Sequence, residues 1–130
     1  IPAYTQEEED EISQADVIEK LYSQWFSYPN VEQIVYWNLP DGYAAFTTLG
    51  NMAEGENYYR GGLLRFDMSE KPAYKRLKRL IKEVWTTDEE LTANENGEVS
   101  FLGFYGEYEV TAGGKTYTVN FDKDGKEVTL

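Results

Sequence analysis

Apolar residues recur at three- and four-residue steps through Ala15, Ile18, Leu21, Tyr22, Trp25 and Phe26. That spacing predicts an amphipathic helix over about 5–28, which Pro29 ends. Thr5-Gln6-Glu7-Glu8 before it has the form of a capping box. The acidic run Glu7 to Glu11 reads as a solvated helix start, where negative charge is favoured, rather than as a metal site. Ile1-Pro2-Ala3-Tyr4 reads as the last residues of a strand leaving a sheet. After Asn30 the pattern changes to a nearly continuous apolar run, Ile34-Val35-Tyr36-Trp37. Continuous apolarity predicts a strand covered on both faces, as in parallel sheets. The chain contains no second run of this kind, so the expectation is that its partner strands lie in sequence not present here.

Residues 39–62 predict a long loop, kept from disorder by Tyr43, Phe46, Tyr58, Tyr59 and Arg60. Leu63 to Phe66 predicts a short extended stretch. Lys71-Pro72 opens a second helix with proline at its first position. Ala73, Leu77, Leu80, Ile81 and Val84 stripe one face of it, and Lys75, Arg76, Lys78, Arg79 and Lys82 form a solvated basic face. From about residue 88 the period becomes two: Val99 and Phe101, then Tyr108 and Val110, then Tyr117, Val119 and Phe121. With Gly113-Gly114 and Asp124-Gly125 between runs, this predicts an antiparallel meander of three or four strands. Asp122-Lys123-Asp124-Gly125 resembles the opening of a calcium loop, but the third acidic position and the distal Glu are missing, so a plain turn is expected.

Composition narrows the chemistry. The chain has 130 residues, enough for one ordinary domain or a small piece plus an appendage. Its 24 acidic and 12 basic residues give a net charge of −12, a field that opposes nucleic acid and anionic lipid but not a neutral polymer. The absence of cysteine excludes a disulfide framework and a thiolate zinc site. The absence of histidine excludes a Ser-His-Asp triad and imidazole metal ligands. Catalysis would have to rest on carboxylates, Lys or Tyr. No signal peptide or membrane-spanning run is evident, and Ile1 in place of Met suggests an N-terminus made by processing or design. The 11 tyrosines suit half-buried strands and also sugar faces.

Leu63-Leu64-Arg65-Phe66-Asp67-Met68-Ser69-Glu70-Lys71-Pro72-Ala73-Tyr74, following Val35-Tyr36-Trp37-Asn38-Leu39-Pro40-Asp41, resembles the end of glycoside hydrolase family 10, the endo-β-1,4-xylanases. Phe101 to Val110 is similar to a β extension that some members carry. Asn38 stands where that family usually has Gly, and Phe46 is the nearest match to its second aromatic. The resemblance implies an α/β fragment of a (β/α)8 TIM barrel over 1–87, with an antiparallel β extension over 88–130. It also implies xylan as substrate, no cofactor or metal, a secreted or extracytoplasmic location, and partnership with the rest of the parent barrel. The family's retaining reaction needs two glutamates about 5 Å apart. Neither maps onto this chain, so it is expected to be inactive alone.

The residues left to bind substrate are Trp37, Asn38, Asp41, Tyr43, Phe46 and Arg60. Trp37 would form a floor beneath a sugar ring, or else sit as a core residue of the strand. Tyr43 or Phe46 would form a wall. Asn38, Asp41 and Arg60 would hydrogen-bond hydroxyls or hold the loop, Asp41 and Arg60 through an ion pair. Two alternatives stand beside this: a stand-alone carbohydrate-binding or surface-interaction module, and a small enzyme using local carboxylates. A barrel remnant would self-associate through the flanks of 34–37.

Overall fold

The computed structural model describes residues 1–122 and 125–130, so the Asp122–Gly125 motif lies partly outside the described residues. The chain forms two compact units, Ile1–Lys82 and Glu83–Leu130. The first holds two α-helices, α1 (Glu8–Phe26) and α2 (Pro72–Arg79), joined by a long segment with one 3-10 turn, Gly55–Tyr59. The second holds an antiparallel hairpin, β1 (Gly106–Ala112) and β2 (Lys115–Phe121).

Helix α1 buries Glu11, Gln14, Ala15, Ile18 and Tyr22, one face at steps of three and four. Its cap is Glu7, whose side chain makes no capping bond; Thr5 Oγ1 instead accepts the Glu7 amide at 3.0 Å. Four acidic residues occupy its first turn, matching the positive end of the helix dipole. Helix α2 starts with Pro72 after an extended Lys71, and buries Ala73 and Leu77. The two helices pack together, and Arg76 of α2 reaches Asp16 and Glu19 of α1. Ala15, Ile18 and Ala73 are fully buried; two alanines let helix backbones approach closely.

The connecting segment is held by backbone bonds rather than by a sheet. Leu39 O accepts the amides of Leu63 and Leu64, Asp41 N donates to Leu64 O, and Lys71 N donates to Leu63 O. Residues 39–41, 63–64 and 70–71 are thereby laced side by side through two isolated bridges. Gly62 is required there: a Cβ would lie 2.6 Å from Asp41 N.

The barrel-fragment expectation is corrected by this architecture, a small α+β arrangement with no strand over 34–37. Val35 is 74% and Trp37 70% exposed, so the apolar run is not sandwiched between layers. Tyr36 instead bonds to Gly61 and Trp37 to Glu56, and Asn38 turns the chain through a left-handed φ of 59°. A left-handed residue cannot continue a strand. Among the described residues, the expected three- or four-stranded meander is a two-stranded hairpin. Its register runs from Gly106 opposite Phe121 to Ala112 opposite Lys115, around Gly113-Gly114 at φ 57° and 77°. Those angles are what a tight two-residue hairpin turn needs. Phe101 packs on Tyr108 and Phe121 at 5.7 Å without joining the sheet.

Candidate functional site

The first unit carries an open cleft of about 380 Å³ beside the segment 34–42. Its walls are aromatic: Tyr22 and Trp25 from α1, Tyr36 and Trp37 from the apolar run, and Tyr59 from the 3-10 turn. Their spacing in sequence explains the assembly. Tyr22 and Trp25 lie one helical turn apart, 5.5 Å between ring centres, and Tyr36 stacks against Tyr22 at 6.5 Å. Tyr36 is anchored by donating its hydroxyl to Gly61 O at 2.7 Å. Burial, and then the neighbouring Tyr22 and Asp41, push its phenol well above the usual value.

Two of the six sequence-predicted residues share one partner. Trp37 Nε1 and Asn38 Nδ2 both donate to Glu56 Oε2, at 2.9 and 3.0 Å. The left-handed backbone at Asn38 is what points both donors at one carboxylate oxygen. Trp37 is therefore exposed yet fixed: its edge is bound and its ring remains open to solvent.

Asp41 lines the cleft but is itself buried. Its Oδ1 accepts the Gly62 amide at 2.8 Å, and its Oδ2 lies 2.6 Å from Lys71 Nζ, with both side chains fully shielded. Lys71 also donates to Arg60 O at 2.8 Å. Burial pushes the Lys71 ammonium below its ordinary value, and the Asp41 carboxylate opposes that shift. The loop-holding alternative for Asp41 is thus what the geometry displays, with Lys71 as partner. Gln14 completes this layer, its amide nitrogen donating to Ile1 O at 3.0 Å and Gly62 O at 3.3 Å.

Arg60 lines the cleft from a left-handed φ of 44°, and its Nε donates to Tyr4 O at 3.1 Å. Tyr43 does not line it; the ring packs on Phe66, 5.4 Å between centres. Phe46 is fully exposed, with φ 62°, and also lies outside it. The cleft therefore gathers Trp37, Asn38, Asp41 and Arg60 and leaves out Tyr43 and Phe46. Sequence reasoning missed Glu56, Tyr36 and Lys71. The available signal for Glu56 was its place in an aromatic-rich turn, Glu56-Asn57-Tyr58-Tyr59, which lacks any apolar side chain but the tyrosines. Asn57 builds that turn from within, accepting the Ala44 amide at 2.9 Å and donating to Thr47 and Asn51.

No known family profile matches the chain. The chain is 30% identical over 122 residues to the anti-sigma-I factor RsgI6 of Acetivibrio thermocellus, a match covering 88% of this chain and 14% of that protein. The chain therefore spans about one seventh of the relative's length. The xylanase resemblance, with its hydrolase function and xylan-degrading role, is corrected on this ground: the relative is named an anti-sigma factor, and the barrel strand on which the resemblance stood is absent among the described residues. The self-sufficient carbohydrate module draws no support from the comparison either.

Proposed function

We propose that this chain is a ligand-recognising segment of a regulatory protein of the anti-sigma type. The observation that carries the reading is the similarity to an anti-sigma factor along nearly all of the chain. The geometry supports a recognition role over bond-making. Asp41 is committed to a buried ion pair and Glu56 to two side-chain donors, so each carboxylate at the cleft holds structure. The aromatic cleft supplies the recognition surface, as concave sites with a few fixed polar groups do.

The test is made in the regulator that carries this segment, with a reporter transcribed under its sigma factor. Deleting the segment is expected to change how reporter output responds to growth conditions, and Trp37→Ala is expected to reproduce the deletion at equal protein level. Output identical to the intact regulator under every condition overturns the reading.

A further inference from the structure

Trp37 is presented in an unusual way. An exposed tryptophan normally pays for immobilisation with side-chain entropy on binding. Here Glu56 has already fixed the indole through its N–H, while 70% of the residue faces solvent. A carboxylate accepting that N–H also enriches the indole in electron density, which deepens the negative potential over its face. Glu56 Oε1 takes no hydrogen bond among the described residues and stays available at the rim.

The surrounding rings and the net charge point the same way. Tyr22, Trp25, Tyr36 and Tyr59 add further rings around the same cleft. Of the two cationic side chains nearby, Lys71 is neutralised by Asp41, whereas Arg60 has no carboxylate partner among the described residues and turns its Nε to the Tyr4 carbonyl. Around them the chain carries a net charge of −12, which raises the local concentration of cations and lowers that of anions.

We infer that the cleft binds an organic cation, stacked on the Trp37 face with its charge toward Glu56. This rests on the cleft being the recognition site of the preceding reading. Alkylated ammonium groups fit best, because they are weakly hydrated and lose little on entering a ring-lined site.

The probe is choline, with its neutral isostere 3,3-dimethylbutan-1-ol as control, added to the 130-residue chain at low salt. The Trp37 indole N–H signal is followed by ¹⁵N–¹H correlation NMR. Choline is expected to shift that signal along a saturable curve up to about 200 mM, while the isostere does not, as about 2 kcal/mol for one desolvated charge over one ring corresponds to a Kd of tens of millimolar. Glu56→Gln keeps an amide oxygen to accept from Trp37 and Asn38 but removes the charge, and is expected to weaken choline about five- to tenfold. Equal shifts with both probes, no shift with choline, or an unchanged affinity in Glu56→Gln would each overturn the cation assignment. Equal shifts leave the cleft as a binding site for uncharged ligands, and the transcription assay reads the regulatory proposal independently.

Discussion

Asp41 and Lys71 have no water to turn to. Each side chain is fully shielded, so each depends on the other for neutrality. Removing one partner strands a buried charge, at a cost of about 3–5 kcal/mol. Asp41→Leu and Lys71→Met are each expected to lose that much in urea unfolding, while the double replacement recovers a large part of it. Tyr36 gives a second prediction. Its folded-state phenol titrates above the ordinary 10.0. Its contribution is therefore whole below pH 10, where both states are protonated. It is lost as pH rises above 10, because the unfolded chain ionises first. Tyr36→Phe should cost about 1 kcal/mol at neutral pH through the lost bond to Gly61 and flatten the alkaline fall in stability. The difference between the two stability–pH curves above pH 10 checks it.

The elements differ in how far their sequences announced them. Helix α1 was legible because Ala15, Ile18 and Tyr22 repeat at helical spacing, and α2 because Pro72 sits at its first position. The run Ile34–Trp37 was not. Apolar continuity says that water is excluded on several sides, but it cannot say whether layers of sheet or a ring-lined cleft do the excluding. Within the site, Asp41 was readable as half of an ion pair. Lys71 was hidden because its role depends on lacing 39–41 beside 63–64 and 70–71, a contact between segments some thirty residues apart. Glu56 was hidden likewise, since only the left-handed turn at Asn38 brings two donors to it. At this scale packing makes its own prediction. Ala73 is fully buried on α2, so Ala73→Leu should force the two helices apart and cost about 1–3 kcal/mol, read as a lower denaturation midpoint. Gly113 and Gly114 both hold positive φ with open space around them. Gly113→Asn should be tolerated there, whereas Ala at both positions should cost about 1–2 kcal/mol per residue and weaken amide protection across β1 and β2.

For the molecule as a whole, charge and anchoring matter most. Twice as many acidic as basic residues repel one another in the folded state. Added neutral salt should raise the thermal midpoint by a few degrees as the Debye length falls from about 10 to 3 Å, a trend that differential scanning calorimetry reads. Among the described residues no helix is long and apolar enough to cross a membrane. The leading residues are knitted into the first unit. Tyr59 O accepts the amides of Ala3 and Tyr4, Tyr4 O accepts Arg60, and Ile1 O accepts Gln14. Loss of the contacts made by residues 1–4 alone would therefore do damage out of proportion to their number. The short helical turn bearing Tyr59 would lose its brace, and the shielded Gln14 would forfeit the shortest of its bonds.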